Sequence, residues 1–407
     1  MMKKKKIVMT SPWPTIAEEA KQEDFYLIVL WDKNHKSSAA YNKVSTHADE
    51  LYMIDFSDDH KVESILKWIH SFNDVEYIYH LGKDEHVELI YRVAEELKRN
   101  VNDLETIFLI NNKKKMRQHL EANGISPIRY TVANLFNITE KAEAFTYPFI
   151  VKPVNLSGSQ GVALCHEVQD LERWKASVKA LDYCGEFLIE EYLRGIEVSV
   201  ETITFQNEHY MIGITDKLKT PPPQFIEMGH IFPSRLDKHT KEAVEKLIKE
   251  VLTSLRYSFG PCHSEVIITE AGPRLVELQP RLAGDRIPRL IEHSTGMRME
   301  NIIFKMLKGI RPHISMPKKI SQIHYFNWTP GEVLEIKGIN EARTLCNVKE
   351  IFINNPERIS SVTDSYTRPG YVIVEGESYE ELHQTINEVN ERMTITYRTE
   401  TDFPSVL

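Results

Sequence analysis

Cysteine is scarce: four residues in a chain of 407, Cys165, Cys184, Cys262 and Cys346, with no CxxC pairing. That spacing excludes a disulfide framework and argues against a zinc cluster or thiol catalysis. A reducing compartment is expected, each cysteine serving as a small buried apolar side chain. Long apolar runs are missing as well. The basic stretch Lys3 to Lys6 is followed only by Ile7, Val8 and Met9 before Ser11-Pro12-Trp13-Pro14, too short for a signal-peptide core or a membrane span. The cytoplasm is the expected location, with no membrane partner. Positive charge is not in excess, because 50 Lys and Arg face 59 Asp and Glu for a net charge of -9, which counts against a nucleic-acid partner. Glycine is absent where a dinucleotide loop needs it: Thr10, Ser11, Pro12, Trp13 and Pro14 follow the first strand and form no GxGxxG turn. There is no GxxxxGK[ST] loop, no low-complexity tract and no short repeat. What remains is a chain with an ordinary apolar fraction of 42%, long enough for two or three domains.

The first segment alternates strands and helices. IVMT, FYLIVLW and VEYIYHL are strand-like, and PTIAEEAKQ, ESILKWIHSF and HVELIYRVAEELK are helical, which implies a parallel sheet with crossover helices. Lys83, Asp84 and Glu85 follow the third of these strands, where such sheets bind ligands; capping the next helix is the plainer role for acids there. A helix from Lys113 ends at Gly124, and Pro127 opens an extended stretch. TYPFIVKPVNLSGSQGVALC then gives strand, glycine loop, strand. Lys152 lies inside the apolar run and should reach an anion, because a buried lysine is costly. Ser157, Gly158, Ser159, Gln160 and Gly161 offer backbone N–H groups in a flexible turn able to cover phosphates, although such a loop is often only a hairpin. EFLIEEYLRGIEVSVETITF brings Glu190, Glu191 and Glu197 around Tyr192 and Leu193, suited either to a nucleoside or to an edge strand with solvated glutamates. KLKTPPPQFIEMGHIFPSRL, with three consecutive prolines ahead of Glu227 and His230, predicts a functional loop.

The densest stretch is HSEVIITEAGPRLVELQPRLAGD, His263 to Asp285. Two apolar runs flank Gly272, so a hairpin is predicted. With Thr269 opposite Pro273 across Glu270, Ala271 and Gly272, Glu265 falls opposite Glu277. Facing carboxylates repel unless a cation joins them, and hard divalent ions suit oxygen donors. Gln279 adds an amide oxygen, and Arg281 lies just beyond. A different register, or one glutamate turned to solvent, is the plain alternative.

Taken in order, Lys113, the IVKP strand, the SGSQG loop, EEYLRGIE and the HSE…VELQPRLAGD hairpin resemble the ATP-grasp superfamily. The resemblance implies an α/β and α+β fold with four parts: an N-terminal parallel α/β domain (1–112), a lid lobe with a helical connector (113–195), a larger catalytic lobe (196–311) and a β-rich C-terminal subdomain (312–407). It implies ATP and two magnesium ions, manganese being the alternative ion, held by Glu265 and Glu277 with Gln279 standing where the family usually has Asn. Lys113 and Lys152 take the place of the phosphate-binding lysines, and Ser157 to Gly161 that of the flap. Glu190, Glu191, Tyr192 and Leu193 lie at the adenine and Glu197 at the ribose.

FIEMGHIFPSRL and LAGDRIP look most like the L-amino-acid ligases and carnosine-synthase-like relatives. In that likeness Glu227, His230, Arg281 and Glu85 line the substrate site, and Arg281, Gly284 and His230 serve the chemistry. The implied activity joins two amino acids through an acyl phosphate, with ADP and phosphate released and a homodimer as a further expectation. The alternatives are a purine-pathway-like ligase or carboxylase and a non-catalytic ATP-binding module.

Overall fold

The structure, a computed structural model, describes residues 4–36, 38–82, 86–156, 160–180, 183–221, 226–354 and 357–398. Strands β1 (Lys6–Thr10), β2 (Tyr26–Asp32), β3 (Glu50–Ile54) and β4 (Tyr77–Tyr79) form a parallel sheet in the order β3-β2-β1-β4. β3 was not apparent from pattern: its ELYMI sequence holds no continuous apolar run, because it lies at the sheet edge with most residues only half buried. The inner strands are buried on both faces, as parallel sheets require. Ile7, Met9, Leu27 and Val29 pack with helices Pro14–Gln22 and Met299–Leu307, whereas Val8, Ile28 and Leu30 pack with helices Asp59–Asn73 and Val87–Glu96.

A second, antiparallel sheet is built from β5 (Tyr130–Ala133), β6 (Phe149–Pro153), β7 (Ala163–Cys165) and β8 (Phe187–Glu191), in the order β5-β8-β6-β7. Phe149, Val151, Phe187 and Ile189 close its core against Leu171 and Trp174 of helix Val168–Ala180.

The largest sheet starts with β9 (Ile196–Phe205), β10 (Glu208–Lys219), β11 (Glu227–Phe232), β12 (Phe259–Thr269) and β13 (Gly272–Gln279). The C-terminal strands are β14 (Ile320–Tyr325), β15 (Gly331–Lys337), β16 (Val348–Ile353), β17 (Arg358–Ile359), β18 (Gly370–Gly376) and β19 (Thr394–Tyr397). The eight-stranded order is β13-β12-β9-β10-β11-β14-β18-β16, and β17-β15-β19 stand apart as a small sheet. Three of the strands after residue 312 therefore continue the large sheet, because β14 pairs with β11 from Gly229↔His324 to Phe232↔Ser321.

One alternative is excluded and one expectation corrected. β9 is no edge strand, being hydrogen-bonded to β10 on one side and β12 on the other. Glu227 and His230 lie on a strand and not on a loop, since pairing with β10 and β14 satisfies their backbone. Of the cysteines, Cys165 and Cys262 are buried as expected, but Cys184 and Cys346 are exposed. Among the described residues no helix is long and apolar enough to cross a membrane.

Helix Lys238–Ser254 decides which way the large sheet faces. Val198, Val200, Cys262, Val266, Leu275 and Leu278 pack beneath its Val244, Leu247, Ile248 and Val251. A one-residue slip of a strand would turn its apolar side chains to the other face, at about 1.5–3 kcal/mol each. The alternate residues Glu197, Ser199, Glu201, His263 and Glu265 are thereby fixed on the opposite face, where Ile203 of β9 joins the other core. The lid and the large sheet meet at Gly195, where an added Cβ would lie 2.1 Å from the Ile268 carbonyl oxygen. Gly195→Ala is expected to lower stability by about 1–3 kcal/mol through this overlap with backbone; a thermal midpoint equal to that of the unsubstituted chain would contradict the close approach.

Candidate functional site

The hairpin at the centre of the site reaches the expected pairing by an unexpected route. Its turn has two residues, Glu270 and Ala271, with Thr269 opposite Gly272, whose φ is +97. That register alone would set Glu265 opposite Val276 and turn Glu277 toward the helix. A β-bulge corrects it: Val266 faces Leu275 and Glu265 faces Glu277, which leaves Val276 as the extra residue. The bulge lies on an edge strand and its carbonyls need partners. Arg117, on helix Lys113–Ala122, donates to Leu275 O at 2.9 Å and Val276 O at 3.0 Å, and the Leu275 N–H donates to Ser126 Oγ at 2.7 Å.

Arg117 also donates from Nε to Glu190 Oε1 at 2.7 Å, and Lys152 Nζ lies 2.7 Å from Glu190 Oε2. All three side chains are buried. Burial opposes ionisation of Glu190, yet the two cations outweigh it and hold its carboxyl at about 2. Burial pushes the Lys152 ammonium below its ordinary value, Glu190 opposes this and Arg117 adds to it, so the guanidinium is the firmer partner. The side chain of Glu190 is thus an anchor between lid, helix and hairpin. Lys152 does reach an anion, and that anion is Glu190.

The polar face of the large sheet gathers the remaining acids around Lys217, which sequence reasoning missed. Its side chain is 2% exposed, and Nζ lies 2.6 Å from Glu265, 2.8 Å from Glu197 and 2.8 Å from Glu227. Carboxylate oxygens of these three glutamates lie within 4.8 Å of one another, and the lysine ammonium is the cation they share. Lys219 adds a contact to Glu197 at 2.5 Å, and Lys113 lies 3.1 Å from Glu277. Burial raises the Glu265 carboxyl, but Lys217 and His263 together hold it well below the carboxylate range. Beneath them His263, paired with Glu201 at 2.6 Å, is lifted to about 9, the acid outweighing the effect of burial.

A third group lies beside Lys217. His230 is fully buried, with Nε2 3.2 Å from Asp285 Oδ2 and 3.5 Å from Glu227 Oε2. Arg368 grips Asp285 with both terminal nitrogens, at 2.6 and 2.8 Å.

The other expected residues are distributed as follows. Gln279 lies opposite His263 on the same face as Glu277. Arg281 follows the strand and donates to Leu282 O at 3.0 Å, and Gly284 is exposed in the next turn. Glu191 is exposed and accepts the Arg129 N–H at 2.7 Å; Tyr192 and Leu193 are half buried in the passage from lid to large sheet. Gln160 is exposed, and the Gly161 carbonyl accepts Trp174 Nε1 at 2.7 Å. Ser157, Gly158 and Ser159, with Lys83, Asp84 and Glu85, lie outside the described residues. Arg117, Lys217, Lys219, His263, Asp285 and Arg368 were not singled out from sequence. The alternation in KLK, next to the phrase carrying Glu227, was the one signal for the two lysines; Arg368 lies 83 positions from Asp285 and gave none.

The donor set suits a hard divalent ion: Glu265 and Glu277 are direct cross-strand neighbours, each beside a lysine ammonium, with an amide side chain one step along. For Glu190 the linkage has a definite sign. Its pKa falls from 4.5 to about 2 on folding, so its stabilisation is complete above pH 4.5 and is lost as pH falls through about 2. Glu190→Gln is expected to lower stability at pH 7 by roughly 3 kcal/mol and to flatten the acid limb between those pH values, as read by urea midpoints. An acid limb identical to that of the unsubstituted chain would contradict the assigned ion cluster.

Comparison with known proteins adds the following. Residues 145–289 match a family model described as ATP-grasp domain, and residues 324–398 one described as L-amino acid ligase C-terminal domain 2. Dapdiamide A synthase of Enterobacter agglomerans is 24% identical over 311 residues, covering 71% of this chain and 72% of that protein. Alanine–anticapsin ligase of Bacillus subtilis is 25% identical over 323 residues, 72% of this chain and 66% of that one. The matched segments thus span 61 to 72% of the length of such curated relatives. The crystal structure of L-amino acid ligase from Bacillus licheniformis superposes with a TM-score of 0.82 at 19% identity, covering 98% of this chain and 100% of that chain. The chain carries an ATP-grasp domain followed by an L-amino acid ligase C-terminal domain, on the fold of L-amino acid ligase.

Proposed function

We propose that this protein is an ATP-dependent ligase joining the carboxyl group of one amino acid to the amine of another, with release of ADP and phosphate. One observation carries the reading. The Lys217 ammonium touches Glu265 of the paired carboxylates, Glu197 at the ribose position and Glu227 of the substrate phrase, so nucleotide and substrate positions share one polar surface. The activities in the names of the dapdiamide and anticapsin enzymes support the same class.

In the first step a carboxylate oxygen of one substrate attacks the γ-phosphorus of ATP, and the bond to the ADP oxygen breaks. In the second, the amine of the other attacks the acyl carbon, the bond to phosphate breaks and the nitrogen loses a proton. Both steps bring anions together or create an oxyanion, so the protein must supply positive charge in place. Magnesium, held by Glu265 and Glu277 with Gln279 beside them, would supply neutralisation of phosphate charge. Lys113 and Lys217 flank that pair and bring further cations to it. Glu227 receives the ammonium of an amino acid, His230 is held beside it, and Arg281 with the Gly284 N–H stabilises the tetrahedral oxyanion.

Phosphate release measured with each amino acid singly and in pairs tests this directly. Release that depends on a pair supports the ligase, whereas release with no amino acid, or none with any pair, contradicts it. Glu277→Gln is expected to lower kcat at least a hundredfold with the fold retained by circular dichroism; undiminished turnover would remove Glu277 from the metal pair. Glu227→Ala should raise the amino-acid KM at least tenfold and the ATP KM less than twofold, and an equal rise in both would take Glu227 out of the substrate pocket.

A further inference from the structure

The C-terminal segment reaches into the substrate side of the site through one residue. Arg368, 6% exposed at its side chain, lies two residues before β18 and makes contacts in four directions. Its terminal nitrogens grip Asp285 Oδ1 and Oδ2 at 2.6 and 2.8 Å, and one of them also donates to the Glu227 backbone carbonyl at 2.9 Å. Nε donates to Ser365 O at 2.8 Å, and the guanidinium carbon lies 3.5 Å from the centroid of the Tyr325 ring. Each contact uses the planar fork that lysine lacks.

The residue held in this way is conformationally unusual. Asp285 and Arg286 have φ of 47 and 63, left-handed values that non-glycine residues adopt at a cost. Tyr325 donates its hydroxyl to Asp285 O at 3.3 Å, so two C-terminal residues clamp this turn from side chain and backbone. The turn follows Arg281 and Gly284 directly. Its carboxylate also meets His230 Nε2, which faces Glu227 on the other side. A chain of contacts thus runs from Arg368 through Asp285 to His230 and on to Glu227.

We propose that Arg368 is a positioning residue of the amino-acid pocket, acting through Asp285 to fix the His230 ring beside Glu227. This rests on the ligase reading above. Neither family match nor sequence pattern assigns it, and it makes the C-terminal domain part of the substrate site. No nucleotide-side residue touches Arg368 among its described contacts, so its effect falls on the amino acid.

The test uses the full chain with three substitutions. Arg368→Met is expected to raise the amino-acid KM about tenfold while ATP KM and ADP affinity by calorimetry change less than twofold; Arg368→Lys should recover part of the loss. The double variant Asp285→Asn with Arg368→Met leaves no unpaired buried charge, should fold where the single variant fails, and should match the single variant in KM because the two residues act as a unit. The ¹⁵N shifts of the His230 ring give a readout independent of turnover: they should move in Arg368→Met and return toward the original in Arg368→Lys. Equal rises in both KM values, additive effects in the double variant, or unmoved His230 shifts would each overturn the inference. Absence of pair-dependent phosphate release in the unsubstituted protein, with His230 shifts still responding to Arg368, would instead sink the ligase reading alone.

Discussion

One extra residue in an edge strand, and the arginine that accepts it, decide what this site can be. Without the bulge at Val276, the two-residue turn at Glu270 and Ala271 would turn Glu277 toward the helix Lys238–Ser254 and bury a carboxylate among leucines and valines. Arg117 occupies the carbonyls that the bulge exposes and, with the same side chain, binds Glu190 of the lid sheet. Local backbone irregularity, lid attachment and the direction of the Glu277 side chain therefore depend on a single guanidinium. Removing one partner of a buried pair of this kind typically costs 3–5 kcal/mol, more than replacing both, which is why such a residue tolerates little change.

The acids on the polar face pose an electrostatic difficulty that the fold answers with lysines. Glu197, Glu227 and Glu265 converge within 4.8 Å, a spacing that like charges do not hold unaided. Lys217 joins all three, and Lys113 attends Glu277. The desolvation of a lysine that is 2% exposed cancels much of the gain, so the arrangement is better understood as placement than as stabilisation. Its consequence is that Glu265 stays ionised at neutral pH despite its burial, which is what a ligand for a divalent ion requires.

Much of this was legible in the sequence, and the failures have physical causes. The helices Pro14–Gln22 and Lys113–Ala122 and the strands at Val151 and Val266 follow from periodicity and from caps such as Gly124, and the ordered motifs pointed to the ATP-grasp fold. The facing of Glu265 and Glu277 was anticipated from the wrong turn, because neither the shorter loop nor the compensating bulge leaves a distinct pattern in residue type. The prolines ahead of Glu227 and His230 predict a loop, and pairing with β14, some ninety residues on, overrides that local signal. The pairing of Lys152 with Glu190 was out of reach for a similar reason: a buried lysine seeks an anion, but which anion it meets depends on a lid strand folding back over a distant helix. Arg117, Asp285 and Arg368 are contacts across 73 to 159 positions, beyond the reach of any local pattern.

The central claim is that the paired glutamates grip the ion on the nucleotide while Lys217 ties them to the substrate acids. A crystal structure of the full chain grown with ADP and manganese, the ion located by its anomalous signal, tests it most directly. The account predicts a manganese peak between the carboxylates of Glu265 and Glu277 with Lys217 still in contact with Glu227. A peak elsewhere, for instance among Glu227, His230 and Asp285, with Glu265 and Glu277 bound only to their lysines, would contradict it.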